Sequence, residues 1–298
     1  MAKMLITGAS GQVGGQLIRR LSQFTQSTDE IYLLQHDTHV NTDAIDSDRV
    51  HQTHIIKDSE MALQGTYNLT LHLAAYLKTA NGKKKEYEQK FEASNVVLTE
   101  RVRDVSTRVI IVSTDQVFKG DSAYDYQERE PTNPHKNYYS ITKEKAEKII
   151  LEVGGTIVRL QTMLGVPQNA IVDPAYAALD GGSYFPFWNN RFVKPAYFED
   201  FLAAFIKIKE DPAQHIYHVA CRGEPIARAK YAQKVLEVHQ RHDIPYKNDQ
   251  IAEEACTTDH PMRLGLDTTW TEQKLGLVFV TVDEAIERHV LATRKKNS

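Results

Sequence analysis

Tyr139 and Lys143 are the two side chains in this sequence whose types and spacing best suit proton-transfer chemistry. They lie four residues apart at the start of a predicted helix, and of the tyrosines only Tyr139 has a lysine at that spacing. Side chains at i and i+4 share one helical face, so the phenol and the ammonium can point into one cleft. A tyrosine with a pKa of about 10 is a slow acid or base at neutral pH. A neighbouring ammonium favours phenolate, so the pair predicts a lowered tyrosine pKa.

Thr114 is the third candidate catalytic residue. It follows the apolar run 109–112, which is predicted to be a strand, in the sequence Ser-Thr-Asp. The carboxyl ends of the strands in an open α/β sheet form the edge where ligands bind. A threonine hydroxyl there can hydrogen-bond a substrate oxygen near Tyr139. Thr114, Tyr139 and Lys143 together suit the reduction of a ketone, in which a proton reaches the alkoxide that hydride transfer creates.

A glycine-rich turn near the N-terminus, residues 7–14, lies between a strand-like run and an amphipathic helix. Glycine allows a tight turn, close approach of the backbone to a pyrophosphate, and close packing of helix on strand. The helix N-terminus offers N–H groups and partial positive charge to phosphates. The turn therefore predicts a nicotinamide dinucleotide site whose contacts include Gly8, Ser10, Gly11, Gln12 and Val13. Tyr139 and Lys143 are also candidate cofactor contacts, because the Lys143 ammonium can hold the nicotinamide ribose hydroxyls.

The end of the second predicted strand should meet the adenosine ribose of the cofactor. It reads Leu-Gln-His-Asp, with Gln35 or His36 at the strand end and Asp37 just beyond. An acidic residue at this point favours NAD, whereas neutral or basic residues spare the 2′-phosphate of NADP from repulsion. Gln35 and His36 are thus cofactor-binding candidates for NADP or NAD. Their lack of fixed negative charge favours NADP.

Short apolar runs alternate with amphipathic stretches through the first half of the chain. The predicted strands are 4–6, 31–34, 69–75, 109–112 and 156–160. This alternation is typical of βαβ units and predicts an α/β fold, a Rossmann-type doubly wound parallel sheet, over residues 1–160. Residues 161–298 are predicted to form a smaller, discontinuous substrate-binding lobe, with part of the chain returning to the Rossmann sheet. The polar, proline-containing segment 121–136 is predicted to be a surface loop.

Composition excludes several classes of protein. A formal net charge of -3 argues against a nucleic-acid binder. No apolar run approaches the ~20 residues that span a bilayer, so no membrane partner is expected. Residues 1–5 enter a strand-like run with no signal-peptide pattern, and Cys221 and Cys256 lack the spacing of a metal site or disulfide framework. We therefore expect a cytoplasmic protein with no metal.

Several of these segments together resemble the extended short-chain dehydrogenase/reductase family, and within it the dTDP-4-dehydrorhamnose reductase group. The matching segments are the glycine turn 8–14, Leu-His-Leu-Ala-Ala at 71–75, Asn95, Ser-Thr-Asp-Gln-Val-Phe-Lys-Gly at 113–120, Tyr139 with Lys143, 194–200, 216–220, and His-Pro with Leu-Asp-Thr at 260–268. The resemblance implies an NAD(P)H-dependent reductase of a 4-keto sugar on a nucleoside diphosphate. It also implies that Ala74 and Ala75 lie beside the cofactor and that Tyr139 is the proton donor. A homodimer is a candidate assembly.

Three departures from that group fall on the substrate side. Gln116 stands where the group has tyrosine, Thr162 where it has tryptophan, and His260 where it has arginine. The cofactor and catalytic residues are intact, so these changes predict an altered sugar-nucleotide pocket. We expect poor turnover of dTDP-4-dehydrorhamnose.

Two other functions remain open. One is a non-catalytic dinucleotide-binding regulatory subunit, which the family also contains. The other is a sugar-nucleotide epimerase or dehydratase, although dehydratases carry glutamate where Gln116 stands. Intact Thr114, Tyr139 and Lys143 favour a working site over a regulatory one, because tuned acid–base groups mark catalysis.

Overall fold

The computed structural model describes residues 2–77, 84–166, 187–244, 246, 253–257 and 262–297. The strands in this part of the chain are β1 (Lys3–Thr7), β2 (Glu30–Gln35), β3 (Thr53–Lys57), β4 (Leu69–His72), β5 (Val109–Thr114), β6 (Thr156–Leu160), β7 (Met163–Leu164), β8 (Phe187–Trp188), β9 (Phe192–Val193), β10 (Ala196–Tyr197), β11 (Ile216–Val219), β12 (Ile226–Ala227) and β13 (Glu253–Glu254).

The α-helices are α1 (Gln12–Ile18), α2 (Lys84–Phe91), α3 (Leu98–Asp104), α4 (Tyr138–Glu152), α5 (Phe198–Glu210), α6 (Arg228–Arg241), α7 (Thr269–Leu275) and α8 (Val282–Asn297). A π-helical turn, Glu92–Val97, joins α2 directly to α3. The 3₁₀ turns are Leu21–Gln23, Thr42–Ala44, Ser47–Gln52, Asp58–Gln64 and Asp115–Val117.

The largest sheet in the described residues has seven strands in the order β11-β6-β5-β4-β1-β2-β3. The chain runs outward from β1 to β2 and β3, then crosses back to β4 and continues through β5 and β6. The pairs β1–β2, β2–β3, β1–β4 and β4–β5 are parallel. This is the doubly wound order, and the direction of winding reverses between β1 and β4, where open sheets of this kind bind ligands. The predicted fold class is confirmed.

The central strands are apolar along their length because helices cover both faces of the sheet. In β1 and β5 the residues Leu5, Ile6, Ile110 and Ile111 are fully buried. Helix α4 joins the same core through Ile150 and ends at paired glycines that lead into β6. The continuous apolar runs that predicted these strands reflect this two-sided burial.

The chain divides into two compact units. The first contains residues 1–117, 136–159 and 208–217, and the second contains 118–135, 160–207 and 218–298. The first unit holds most of the large sheet. The second has its own apolar core, which includes Leu164, Cys221, Val235 and Ile286. The functional boundary at residue 160 stays a prediction.

The prediction of a surface loop over 121–136 is wrong at two positions in the second unit. Tyr126 is buried, and its ring stacks on Phe118 with centroids 4.2 Å apart. Glu128 is also buried and accepts a hydrogen bond from Thr271 Oγ1 at 2.7 Å. The polar composition of the segment therefore reflects internal hydrogen bonding as well as solvent exposure.

A buried ion pair joins α4 to β6 in the first unit. Arg159 Nε and Nη2 donate to the Glu147 carboxylate, the latter at 2.7 Å, and both side chains are 2% exposed. Two charges removed from water are tolerated only when they are paired and hydrogen-bonded. The pair therefore fixes how the catalytic-helix candidate α4 lies against the sheet.

Removal of the arginine should destabilise the first unit strongly. In Arg159→Met the Glu147 carboxylate stays buried without its cationic partner, so we expect the free energy of unfolding to fall by about 3–5 kcal/mol. Urea unfolding followed by circular dichroism measures the change. The double variant Arg159→Met with Glu147→Leu is the control and should recover most of the loss, since neither charge of the pair remains. A single variant within about 1 kcal/mol of wild type would contradict this interpretation of the pair.

Candidate functional site

The turn after β1 approaches the end of β4 too closely for a side chain. Gly8 has a φ of +71°, and a Cβ on it would lie 2.8 Å from Ala74 N and 2.9 Å from Leu73 C. Both the positive φ and the contact require glycine. Thr7 secures the approach, because its Oγ1 accepts hydrogen bonds from the backbone N–H groups of Leu73 and Ala74, each at 3.1 Å.

The other two glycines of the turn meet different constraints. A Cβ on Gly14 would lie 2.2 Å from Gly8 O, so Gly14 lets α1 pack onto the turn. Gly11 caps α1 with an ordinary φ of -77°, and a Cβ there would lie 3.1 Å from Gly8 O. Folding therefore demands glycine at Gly8 and Gly14 far more than at Gly11. The exposed edge of the turn at Gly11 is left for a ligand.

The start of α1 presents backbone donors without a side-chain cap. Gly11 makes no capping hydrogen bond, and the first turn carries no acidic residue. Ser10 and Gly11 are exposed, while Gln12 and Val13 are half-buried. The first N–H groups of a helix lack intrahelical partners, and together with the helix dipole they suit an anion. The geometry fits the predicted pyrophosphate contacts, and these residue assignments stay predictions.

Strand β2 ends at Gln35, as the sequence pattern indicates. The Gln35 side-chain oxygen accepts a hydrogen bond from Val40 N at 3.1 Å. His36 and Asp37 lie just beyond and are exposed, with Nδ1 and Oδ1 3.3 Å apart. The contacts of Gln35 and His36 with the adenosine ribose stay predictions.

Thr114 ends β5 at the same carboxyl edge of the sheet as the glycine turn. Its hydroxyl donates to Asp115 Oδ1 at 2.9 Å and accepts from Gln116 N at 3.2 Å. Thr114 also lies close enough to Tyr139 to affect the pKa of its phenol. One residue earlier, the Ser113 hydroxyl is buried and has no hydrogen-bond partner among the described residues.

Tyr139 lies in the first turn of α4, which is capped by Asn137, whose Oδ1 accepts from Ser140 N at 2.8 Å. Burial raises the pKa of Tyr139, the Asp115 charge adds to that rise, and the hydrogen bond with Thr114 opposes it. The prediction that Lys143 lowers this pKa is wrong for the protein by itself, because burial dominates. The phenol is therefore protonated at neutral pH.

Lys143 is almost fully buried one helical turn after Tyr139. Its Nζ donates to Val112 O of β5 at 2.8 Å, which draws the ammonium toward the strand. Burial lowers the pKa of Lys143 to about 8, and the charge of Glu147 opposes the shift. A lysine with this pKa is mostly cationic at neutral pH and loses its charge just above it.

The described structure thus brings all the predicted cofactor and catalytic residues into the first unit. Ala74 N donates to Thr7 Oγ1 next to the glycine turn, and the contacts of Ala74 and Ala75 with a cofactor stay predictions. Sequence reasoning missed His72 and Asp115, which are both buried beside these groups. Asp115 could have been identified as a site residue because it directly follows Thr114. Nothing in the sequence spacing of His72 indicated its contacts.

The three residues that differ from the dTDP-4-dehydrorhamnose reductase group do not all lie in the first unit. Gln116 lies there, and its side-chain oxygen accepts from Ser140 Oγ at 3.5 Å. Thr162 belongs to the second unit, and His260 lies outside the described residues. No group of three or more metal-ligating side chains occurs in the described part of the chain. No helix there is both long and apolar enough to cross a membrane.

The family to which the chain belongs follows from comparison with known proteins. The model of the RmlD substrate binding domain matches residues 2–294. The chain belongs to this family, which confirms the resemblance noted in the sequence. It is also 25% identical over 226 residues to the spore coat polysaccharide biosynthesis protein SpsK of Bacillus subtilis (strain 168), covering 75% of each protein.

Solved structures share the fold at low sequence identity. A dTDP-glucose 4,6-dehydratase from Streptomyces venezuelae, solved with NAD, matches with a TM-score of 0.81 and 18% identity over 99% of this chain and 98% of that one. A dTDP-4-dehydrorhamnose reductase from Bacillus anthracis, solved with NADP, matches with a TM-score of 0.75 and 20% identity over 98% and 100% of the two chains. These matches show the fold.

Substitution of the turn glycines should separate ligand binding from folding. In Gly11→Ala the new Cβ lies 3.1 Å from Gly8 O, so the turn has to give by only a few tenths of an ångström and stability should fall less than in Gly14→Ala. NADPH affinity should fall about tenfold or more, because the methyl group occupies the approach of the pyrophosphate. Gly14→Ala should instead lose about 1–3 kcal/mol of stability through overpacking. Calorimetric titration and thermal unfolding measure the two effects.

Gly15→Ala is the matched control, since a Cβ at Gly15 makes only an ordinary contact of 3.8 Å. It should leave NADPH affinity unchanged and raise stability by about 0.5–1 kcal/mol, because alanine is favoured over glycine inside a helix. Wild-type NADPH affinity in Gly11→Ala would remove the turn from the proposed cofactor site.

The pKa of Lys143 predicts how dinucleotide binding depends on pH. The ammonium is present below about pH 8 and is lost above it. NADPH affinity should therefore decrease as pH rises through about 8, with a dependence on one proton. Lys143→Met should bind more weakly at lower pH and lack this dependence. Fluorescence titrations across the range measure both proteins, and parallel pH profiles would contradict the role of Lys143.

Proposed function

We propose that this protein is an NAD(P)H-dependent reductase of a carbonyl on a nucleotide-linked sugar. The observation that carries the proposal is that Thr114, at the end of β5, interacts with Tyr139 in the first turn of α4, at the sheet edge that also bears the glycine turn. A ketone reductase needs a hydride donor and a proton donor on the same reacting group. At the sheet edge, the glycine turn can bind the hydride donor, and the protonated phenol of Tyr139 is the proton donor.

The first unit fits a nicotinamide dinucleotide on two observations. The turn at Gly11 has an uncapped helix start and an outer edge that a side chain would fill. The Ser113 hydroxyl, next in sequence to Thr114 in β5, is buried and has no hydrogen-bond partner among the described residues. When bound, the reduced cofactor supplies hydride. Gly8, Ser10, Gly11, Gln12 and Val13 would hold its pyrophosphate end.

The two hydroxyls perform different parts of the proton transfer. In this proposal the Thr114 hydroxyl turns from Asp115 to donate a hydrogen bond to the substrate oxygen, and Tyr139 donates its phenol proton to that oxygen as negative charge develops. Because burial keeps the pKa of Tyr139 high, the phenol holds its proton at neutral pH until a stronger base forms beside it. An alkoxide is such a base. The arrangement therefore suits the direction of reduction.

Lys143 contributes charge. In this proposal its ammonium, held at Val112 O, also reaches the ribose hydroxyls next to the nicotinamide. A cation at this point stabilises the phenolate left on Tyr139 after proton transfer. Lys143 thus affects both dinucleotide affinity and rate, whereas Tyr139 affects the rate alone.

The substrate and cofactor assignments rest on further arguments. A nucleotide-linked sugar agrees with the matched family and with the sugar nucleotides named for the solved relatives. Gln116, Thr162 and His260 depart from the dTDP-4-dehydrorhamnose reductase group, so we propose a different sugar from that of the rhamnose pathway. NADP is favoured over NAD because Gln35 and His36 carry no fixed negative charge.

An epimerase or dehydratase is the second candidate function, since a dehydratase shares the fold. The buried Asp115 beside Thr114 supplies a carboxyl group that such chemistry could use. The amide of Gln116 cannot act as an acid or base, which leaves Asp115 without a second carboxyl at the next position. The reductase is therefore the better supported proposal.

Tyr139→Phe should separate a reductase from a non-catalytic dinucleotide binder. The variant loses one oxygen and keeps the ring, so NADPH affinity should change little. Hydride transfer should slow by about 10²–10⁴-fold, the usual contribution of general acid catalysis. Stopped-flow measurement with UDP- and dTDP-linked 4-keto sugars gives the rates. Lys143→Met provides the contrast and should lose both affinity and rate.

Two outcomes would overturn the proposal. Equal hydride-transfer rates in wild type and Tyr139→Phe would remove Tyr139 from the chemistry. Conversion of a sugar nucleotide by the wild type without net oxidation of NADPH would favour the epimerase or dehydratase.

A further inference from the structure

A buried chain of hydrogen bonds runs from the glycine turn to the helix that carries Tyr139 and Lys143. Its members lie on β1, β4, the π-helical turn, α3 and α4, and all belong to the first unit: Thr7, His72, Asn95, Thr99 and Thr142. Each is at most 1% exposed. Buried polar groups of this kind are high in energy unless every one is satisfied, so their arrangement fixes a unique geometry.

The direction of the first hydrogen bond follows from the contacts of Thr7. Its Oγ1 already accepts from Leu73 N and Ala74 N, which occupy both oxygen lone pairs. The hydroxyl proton must therefore point to His72 Nδ1, 2.6 Å away. A ring nitrogen that accepts a hydrogen bond carries no proton, so neutral His72 has its hydrogen on Nε2.

The hydrogen bonds on the Nε2 side of the imidazole ring agree with this tautomer. His72 Nε2 lies 2.9 Å from Thr99 Oγ1, and the Thr99 hydroxyl donates to Asn95 O at 2.7 Å. Thr99 therefore accepts from Nε2–H and passes its own proton to the backbone carbonyl. Burial and the charge of Lys143 lower the pKa of His72 to about 3, so the ring remains neutral throughout the physiological range.

Asn95 connects this series of hydrogen bonds to α4. Its Oδ1 accepts from Tyr76 N at 2.8 Å, and its Nδ2 donates to Thr142 Oγ1 at 3.0 Å. Thr142 in turn donates to Tyr138 O at 2.8 Å, in the turn that begins the helix. Thr142 precedes Lys143 and lies one helical turn after Tyr138, so a shift of Asn95 moves the part of α4 that carries Tyr139.

We propose that His72, as the Nε2–H tautomer, is a positioning residue that ties the placement of Tyr139 and Lys143 to the position of the glycine turn. It touches neither substrate nor cofactor. Thr7 sets the imidazole from the side of the turn, and Thr99 and Asn95 carry its position to α4. This role rests on the proposed function, because Tyr139 matters only if it transfers a proton.

The tautomer is tested in the ligand-free protein by ¹⁵N NMR of histidine-labelled samples. The spectrum of His72→Gln identifies the His72 signals by their loss. We expect a proton on Nε2, none on Nδ1, and no titration between about pH 5 and 8, where ordinary histidines change charge. A proton on Nδ1, or an imidazolium in that range, would overturn the proposed chain.

The positioning role is tested with a matched pair at Thr99. Thr99→Val removes both hydrogen bonds at nearly constant shape, whereas Thr99→Ser retains the hydroxyl. Hydride transfer in Thr99→Val should fall about 10- to 100-fold, the scale of loss from small misplacement of a reacting group, with NADPH affinity near wild type. Thr99→Ser should restore most of the rate. Equal rates in the valine and serine variants, or a loss of NADPH affinity that accounts for the slower rate, would overturn the role.

The NMR and kinetic experiments distinguish a failure of this proposal from a failure of the proposed function. The NMR arm needs no turnover, so a wrong tautomer in an active enzyme overturns the hydrogen-bond chain alone. A wild type that binds NADPH but reduces no 4-keto sugar overturns the proposed function and the positioning role together, whatever the tautomer.

Discussion

The end of β1 lies against the end of β4 with no space for a side chain between them. Gly8 supplies the positive φ and the missing Cβ, and Thr7 bonds the two backbone N–H groups that follow β4. Since the winding of the sheet reverses between these strands, their close contact shapes the floor of the ligand edge. The glycine turn, the Ala-Ala segment and the helix α1 all take their positions from it.

Burial then decides the charges at that edge. Tyr139 stays protonated, His72 stays neutral, and Lys143 retains its charge only up to about pH 8. All three shifts have desolvation as the largest cause, and the few charged partners modify it. Such a site holds one proton on Tyr139 and one cation on Lys143, a helical turn further along α4, which suits the proposed carbonyl reduction.

Sequence reasoning predicted the elements whose signal is local. The strands buried on both faces appear as continuous apolar runs, and Tyr139 with Lys143 follows from helical spacing. Strand β3 was missed because it lies at the sheet edge, where Ile56 alone is buried and the apolar run is short. The sign of the Tyr139 pKa shift was also missed, because the i+4 rule places the lysine nearby and says nothing of desolvation.

Long-range contacts account for the rest of what the sequence did not predict. Thr7 and Thr99 lie 65 and 27 residues from His72, and nothing in their spacing indicates that all three meet. Likewise, the ion pair between Glu147 and Arg159 joins a helix to the strand that follows it, and burial at both ends is known only once the sheet is assembled. Periodicity in the sequence identifies helices and strands. Polar networks can be identified only once the packing of those helices and strands is known.

The most direct test of the account is the fate of a hydride from the cofactor. In a single turnover with [4,4-²H₂]NADPH and a nucleoside diphosphate 4-keto sugar, we expect one deuterium on the former carbonyl carbon, with equimolar oxidation of the cofactor. Mass spectrometry and NMR of the product locate the label. A product formed without deuterium, or with the cofactor left reduced, would contradict it.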